Sequence, residues 1–279
     1  MLKNNRNIGK SFKINFENFY NQNNITNLDR IKNDYKFIRE KILENGDGYL
    51  IIKNFENSKK KFKKKIYLFE KFSRLLGQNN KDEKVIKVQP KKKLIDKFKN
   101  RVKKKLRYHQ TNLGGSIHSD GPQIYKPPRY IIMACLEQTN FGGESIISDT
   151  QKIYKELEIK KDNILKTLKT KFYFERRGFG KNKTFLKPIF EKNNTKIEFR
   201  YLRDYIEGGY KIKKIKLNNE KIKALDYLDK LLNLKKYQKI YKLKAGDLII
   251  LNNKIFAHGR KTFRATKKNN RTLLRVWIK

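Results

Sequence analysis

Two histidines and one aspartate have the types and spacing of a metal site. Of the three histidines in the sequence, His118 is followed two positions later by Asp120, and His258 lies far downstream after an apolar stretch. On a strand, His118 and Asp120 project from one face, because strand side chains alternate with period two. Two histidines and one carboxylate form the facial triad of non-heme iron oxygenases, which leaves positions open for a cosubstrate and oxygen.

A cation downstream of His258 strengthens this interpretation. By itself, a His-x-Asp pair is also compatible with a structural histidine beside a surface aspartate. Arg271, however, lies a turn and a return strand beyond His258, and its planar guanidinium suits the far carboxylate of a 2-oxoglutarate molecule that chelates iron. Arg275 is four positions further on and would share the same strand face. These residues together predict an Fe(II) and 2-oxoglutarate site.

Other polar residues near these segments are expected to be structural. We expect His109 to be structural or on the surface, and Cys135 to lie in the core. Asn252 and Asn253 occupy the predicted turn before His258 and are expected to shape its backbone more than to touch a substrate.

The elements that must position these residues are short strands. From residue 108 onward, apolar segments alternate with glycine-bearing turns, which is typical of a sandwich or barrel. The predicted strands cover 130–136, 144–148, 170–175, 196–201, 247–251, 255–258 and 272–278, and predicted helices cover 150–158 and 219–236.

The first part of the chain has a helical pattern instead. Apolar residues recur at helical spacing over residues 28–46 and again over 57–76, and the apolar segment 48–55 between them predicts a strand. Residues 78–107 are polar and lysine-rich, and they predict a long connection with one short strand at 85–88.

Length and composition limit the number of domains and the cellular compartment that we expect for the chain. The 279 residues can form one domain with a large core, so we expect a single domain in which residues 1–107 form an N-terminal part and residues 108–279 form the catalytic core. The one cysteine cannot form an internal disulfide, and no apolar segment approaches the ~20 residues that span a bilayer. Without an apolar leader at its N-terminus, the chain is expected to be cytoplasmic and free of membranes.

The net charge of +43 has two interpretations. A strongly basic chain attracts nucleic acid. Lysine, asparagine and isoleucine also have AT-rich codons, so an AT-rich genome would produce the same composition without selection for binding. Because the lysines are spread along the whole chain, we favour codon bias and expect no specific nucleic-acid partner.

Several segments in fixed order carry a resemblance to a known family. They are HSD at 118–120, YIIMACLEQ at 130–138, FGGESIISD at 141–149, AGDLIILNNKIFAHGR at 245–260 and RTLLRVWI at 271–278. Together they resemble the TauD/TfdA family of Fe(II)/2-oxoglutarate-dependent dioxygenases. The resemblance implies a mainly β protein of the α+β class, with flanking helices around a double-stranded β-helix, or jelly-roll, core like that of the cupins. It implies that His118, Asp120 and His258 bind Fe(II).

The same resemblance implies roles for cosubstrate and substrate residues. Arg271 would bind the far carboxylate of 2-oxoglutarate, and Ser145 would contact the same cosubstrate. Arg275 matches a position that contacts the substrate anion in some members. The implied reaction is hydroxylation of a small amino-acid-like or anionic molecule with O2, releasing succinate and CO2. Asp120 favours hydroxylation, since related halogenases lack this carboxylate.

Two other functions stay open. One is a 2-oxoglutarate oxygenase that acts on nucleic acid, which the charge would suit but which the Gly-Gly-Glu-Ser segment at 142–145 fits less well. The other is a basic jelly-roll binding protein that has lost catalysis, and the presence of all three iron ligands together with Arg271 argues against it.

Overall fold

The computed structural model describes residues 35–53, 62–77, 85–90, 111–193, 196–266 and 270–279. The predictions for the start of the 28–46 helix, for His109 and for most of the lysine-rich connection 78–107 lie outside these residues. Within them, the chain is a mixed α and β protein in which antiparallel strands are flanked by helices. None of the described helices is long and apolar enough to cross a membrane.

The elements follow one another in an N-terminal helical part and a strand-rich remainder. The helices are the π-helix α1 (Ile38–Glu44), α2 (Phe62–Leu76), α3 (Thr150–Lys160), α4 (Asp162–Lys169), α5 (Arg203–Lys213) and α6 (Asn219–Asn233). The strands are β1 (Tyr49–Ile52), β2 (Ile86–Val88), β3 (Tyr130–Glu137), β4 (Ser145–Asp149), β5 (Phe172–Glu175), β6 (Thr184–Lys187), β7 (Phe190–Asn193), β8 (Lys196–Phe199), β9 (Gln238–Tyr241), β10 (Leu248–Asn252), β11 (Phe256–Arg260) and β12 (Thr272–Ile278).

The larger sheet has five antiparallel strands in the order β1-β10-β3-β12-β2. Its central strand β3 places Ile132 opposite Ile250 of β10. On the other side, Ala134 lies opposite Leu274 of β12. Most residues of β3 are buried on both faces, which explains why this strand is a continuous apolar run rather than an alternating one. Helices α1 and α2 cover the outer face with buried side chains such as Phe72.

The smaller sheet has the order β11-β4-β9 and packs against the larger one. The apolar cluster between them contains Ile147 of β4, Cys135 of β3 and Leu273 of β12. The prediction that Cys135 is a core residue is therefore confirmed. Helix α6 lies against the opposite face of the smaller sheet, where the Ser148 hydroxyl donates to the carbonyl of Leu232 at 3.2 Å.

Helices α3, α4 and α6 and the two hairpins β5–β6 and β7–β8 bury a further apolar cluster. Strand β4 passes directly into α3 because Asp149 caps that helix. Its carboxylate accepts from the backbone N–H groups of Gln151 and Lys152 at 3.1 and 3.0 Å. In the same way, the Asn218 side chain accepts from the N–H of Lys221 and begins α6.

The strands predicted between residues 130 and 278 are all present, with ends shifted by up to two residues. The elements α4, α5, β6, β7 and β9 were not predicted. Helix α5 escapes prediction because Gly208 and Gly209 in its middle have low helix propensity. The glycines allow α5 to lie close to β5, since a Cβ atom at Gly209 would be 2.4 Å from the carbonyl oxygen of Tyr173.

Candidate metal centre

The two histidines are direct partners across antiparallel backbone segments. The N–H of His118 donates to the carbonyl of His258 at 3.0 Å, and the N–H of His258 donates to the carbonyl of His118 at 2.7 Å. Residues that exchange both hydrogen bonds stand opposite each other with side chains on one face. The imidazole centroids are accordingly 4.8 Å apart. The segment around His118 thus adds to the edge of the smaller sheet beside β11.

Asp120 brings a carboxylate to the same face two residues after His118. Its Oδ1 lies 3.6 Å from Nε2 of His118 and 3.8 Å from Nε2 of His258. One donor atom from each of the three buried side chains lies within 4.8 Å of the others. Among the described residues, this is the group of histidine, cysteine and acidic side chains whose arrangement could hold a metal ion.

The protonation states suit a metal ion. Burial lowers the pKa of His258 to about 3, so its imidazole is neutral and keeps a lone pair. Nδ1 of His118 lies 2.9 Å from the carbonyl oxygen of Ser116, which favours the tautomer with a lone pair on Nε2. Burial alone would raise the pKa of Asp120, but the positive charge of Arg275 holds it well below its usual range. Imidazole nitrogens with a free lone pair and ionised carboxylates are the forms that bind cations.

Strand β12 orients the Asp120 carboxylate from the other side. The indole Nε1 of Trp277 donates to Oδ2 at 2.7 Å, and Nη1 of Arg275 donates to the same oxygen at 3.0 Å. The two side chains share a strand face, and the Arg275 guanidinium lies over the Trp277 ring at 4.9 Å. Nη1 of Arg275 also donates to Oδ1, at a longer 3.3 Å. Oδ2 therefore has the closer donors, while Oδ1 lies nearer the imidazoles. Sequence reasoning missed Trp277, although its spacing from Arg275 was a usable signal.

The turn after Asp120 is held by a buried arginine that sequence reasoning also missed. The two terminal nitrogens of Arg200 donate to the carbonyl oxygens of Pro122, Ile124 and Tyr125 at 3.1, 2.5 and 2.9 Å. Burial lowers the pKa of Arg200 to about 10, which still leaves it charged at neutral pH. Because its partners are backbone carbonyls, no residue type in the turn reveals this contact.

The predicted cosubstrate residues flank a glycine turn. Arg271 is buried, and its Nε donates to the carbonyl of Gly143 at 3.0 Å. Gly143 has φ +76°, and a Cβ atom there would lie 3.0 Å from Cδ of Arg271, so this position requires glycine. Ser145 follows two residues later as the first, buried residue of β4. The structure therefore brings Arg271 beside the segment that leads into Ser145.

Solved structures of similar fold cover most of the chain. An asparagine oxygenase in complex with Fe(II), 3-hydroxyasparagine and succinate matches with a TM-score of 0.65 and 14% identity, over 90% of this chain and 79% of that one. The non-heme iron oxygenase OrfP in complex with Fe and alpha-ketoglutaric acid matches with a TM-score of 0.61 and 14% identity, over 91% and 83%. OrfP with Fe and L-arginine matches with a TM-score of 0.58 and 15% identity, over 89% and 80%. At these identities the likeness establishes the fold.

The sequence comparison establishes the family. The model of the taurine catabolism dioxygenase TauD, TfdA family matches residues 21–277, which is nearly the whole chain. This match includes strands β1 to β11, β12 as far as Trp277, and the cluster of His118, Asp120 and His258. The chain belongs to the TauD, TfdA family and is a non-heme Fe(II)- and 2-oxoglutarate-dependent dioxygenase.

Proposed function

We propose that this dioxygenase hydroxylates a small amino-acid-like or anionic molecule, with Fe(II) held by His118, Asp120 and His258. The observation that carries the proposal is the buried cluster in which one donor atom of each residue lies within 4.8 Å of the others. When bound, the iron and 2-oxoglutarate would supply the oxidation that inserts one oxygen atom of O2 into a substrate C–H bond, while the other oxygen enters succinate and CO2 is released.

The residues of the chain would bind the metal ion, orient its ligands and exclude water from the site. His118 and His258 would offer imidazole nitrogens as ligands, and Asp120 would offer a negative oxygen that balances part of the metal charge. Trp277 and Arg275 donate to Oδ2 at 2.7 and 3.0 Å, and the contact of Arg275 with Oδ1 is longer, at 3.3 Å, so we propose that Oδ1 is the oxygen that would bind the ion. The burial of all three ligands keeps bulk water away from the reacting centre.

We propose that Arg271 binds the far carboxylate of 2-oxoglutarate and that Ser145 contacts the same molecule. Arg271 supports this role because its guanidinium is buried beside Gly143, to whose carbonyl Nε donates at 3.0 Å. The planar fork of an arginine pairs bidentately with a carboxylate. Ser145 supports it by its buried position two residues after Gly143.

We further propose that the two facing antiparallel sheets are the walls of a jelly-roll core. The inward cluster of Cys135, Ile147 and Leu273 supports this arrangement, because it joins the larger sheet to the smaller one. The lone cysteine agrees with a reducing compartment, and the cytoplasm is the location we propose.

The substrate class rests on two observations. The asparagine oxygenase and OrfP structures of similar fold contain 3-hydroxyasparagine and L-arginine, which are amino acids. The Nε–H of Arg275 is buried and has no hydrogen-bond partner among the residues that the structure describes, while Nη1 donates to Asp120. A donor that is buried and unsatisfied suits a substrate oxygen. We propose that a substrate carboxylate or similar anion is recognised there.

The direct test is a turnover assay with a panel of candidate substrates. Purified protein with Fe(II), 2-oxoglutarate and O2 is incubated with each L-amino acid, and succinate and hydroxylated product are measured. We expect one or a few amino acids to stimulate succinate release and to gain one oxygen atom, and His118→Ala to abolish both. Stimulation by DNA or RNA instead would replace the small-molecule proposal with the nucleic-acid function.

A further inference from the structure

We propose that Asn253 is a positioning residue for the metal site, which fixes the backbone of Asp120 and thereby sets the affinity for the metal. The inference rests on the proposed function, because it assumes that Asp120 is a metal ligand. Asn253 lies in the turn between β10 and β11, five residues before His258. It therefore links the turn that precedes one ligand to the backbone of another.

The hydrogen bonds of Asn253 use both ends of its amide group. Oδ1 accepts from the backbone N–H of Asp120 at 2.8 Å. Nδ2 donates to the carbonyl oxygen of Asp120 and to that of Pro128, each at 2.9 Å. The side chain is 2% exposed, so water does not compete for these contacts. Both backbone polar groups of Asp120 are thus satisfied by one side chain.

Asp120 needs this support because its backbone lies outside the strand ladders of the described residues. The paired backbone bridge ends at His118, and the next residue after Asp120 is Gly121 with φ +69°. Strand hydrogen bonds therefore do not hold the peptide groups on either side of Asp120. Asn253 is itself fixed, since its N–H donates to the carbonyl of Arg129 at 2.8 Å. The Asn253 side chain therefore holds the backbone of Asp120 in a fixed position relative to the β10–β11 turn.

The chemistry of the site requires asparagine in particular. The N–H of Asp120 needs an acceptor, and the carbonyl oxygens of Asp120 and Pro128 each need a donor. A primary amide supplies one acceptor oxygen and two N–H donors, so it can meet all three needs. An aspartate would keep the acceptor but would place a carboxylate against two carbonyl oxygens. A serine or alanine would leave buried backbone groups without partners.

Asn252 provides a matched control in the adjacent position. It is also a buried asparagine, with 4% exposure. Its Nδ2 donates to the carbonyl of Leu43 at 3.0 Å, and its Oδ1 accepts from the N–H of Lys254 at 3.1 Å. These contacts join the turn to α1 and not to the metal ligands. The Asn252→Ala variant therefore shows how much general destabilisation of the turn affects metal binding.

The experiment titrates Co(II) alone, under anaerobic conditions, into the wild type and the Asn253→Ala, Asn253→Asp and Asn252→Ala variants. The visible d–d absorption of bound Co(II) gives both the dissociation constant and the ligand geometry. Groups that orient metal ligands typically change affinity by roughly 10–100-fold. We expect a loss of that size and an altered spectrum for both Asn253 variants, with Asn252→Ala within about threefold of the wild type. Thermal unfolding confirms that each variant is folded at the titration temperature.

The possible results separate the two proposals. Wild type that binds no Co(II) overturns the proposed function and this inference with it. Wild type that binds Co(II), together with Asn253 variants that bind as tightly and with the same spectrum, overturns the inference alone. Equal losses for Asn253→Ala and Asn252→Ala also overturn it, because the effect is then general. If Asn253→Ala does not fold, the near-isosteric Asn253→Asp variant decides the question.

Discussion

His118 and His258 are hydrogen-bonded backbone partners, although most of the strand-rich part of the chain separates them in sequence. Their exchange of hydrogen bonds at 3.0 and 2.7 Å sets the two imidazoles side by side. The cluster of His118, Asp120 and His258 is therefore a product of backbone pairing at the edge of the smaller sheet. A change that separates the backbone around His118 from β11 should disrupt the site before it disrupts the two sheets.

The indole of Trp277 is expected to tune metal binding. Trp277→Phe keeps an aromatic ring on β12 but removes the donor that lies 2.7 Å from Oδ2 of Asp120. Affinity for Co(II) should fall by roughly tenfold, since the carboxylate loses one of the groups that orient it. The measurement is an anaerobic Co(II) titration beside a thermal unfolding curve. Unchanged affinity in a folded variant would show that Arg275 alone orients the carboxylate.

Substitution of Arg275 should separate substrate binding from the use of 2-oxoglutarate. Arg275→Lys keeps a positive charge beside Asp120 but loses the planar fork that suits a substrate anion. We expect the KM for substrate to rise by about tenfold, from the loss of one charge-assisted hydrogen bond, which is a larger effect than the loss of substrate-free succinate production that follows from the changed contact with Asp120. Parallel assays with and without substrate check this. An equal loss in both assays contradicts a role in substrate recognition.

Glu44 should make stability depend on acidic pH. Burial would raise its pKa, but hydrogen bonds from Arg129, Tyr130 and Lys196 lower it to about 2 from 4.5. Because the folded-state pKa is the lower one, the unfolded chain binds more protons, and the stabilisation present above pH 4.5 is lost as the pH falls towards 2. Because the partners Arg129 and Lys196 are about half exposed, solvent screening keeps the contribution below the ~3 kcal/mol that the pKa difference alone would give.

Glu44→Gln tests this linkage by urea unfolding near neutral pH and again at about pH 3. The wild type should be the more stable of the two near neutral pH, and the difference in free energy of unfolding should shrink at the lower pH. A difference that is the same at both pH values would mean that the ion pairs of Glu44 with Arg129 and Lys196 do not stabilise the fold.

The cluster of His118, Asp120 and His258 could be predicted from the sequence for a physical reason, while its role as the iron-ligand set stays a prediction. Histidines are few, and a spacing of two predicts that His118 and Asp120 lie on one face, although in the described part of the chain the backbone bridge is formed by His118 and not by Asp120. The same period relates Arg275 to Trp277, so this contact with Asp120 was within reach of sequence reasoning. The prediction that Asn253 shapes the backbone agrees with its hydrogen bonds to Asp120 and Pro128.

Other parts of the site could not be predicted. Arg200 binds carbonyl oxygens of a turn that is distant in sequence, and carbonyl oxygens are common to every residue. Helix α5 contains two central glycines, which allow it to lie close to β5. Helix propensity is a local property and does not predict this tertiary contact. Tertiary contacts decide both features.

The most direct test of the metal centre is anaerobic visible absorption of the protein with Fe(II) and 2-oxoglutarate. The wild type should show a weak metal-to-ligand charge-transfer band, because iron held by His118, Asp120 and His258 keeps positions open for chelation by 2-oxoglutarate. His118→Ala, folded to the same extent, should lack the band. Absence of the band in folded wild type would contradict the account, as would a band of equal strength in His118→Ala.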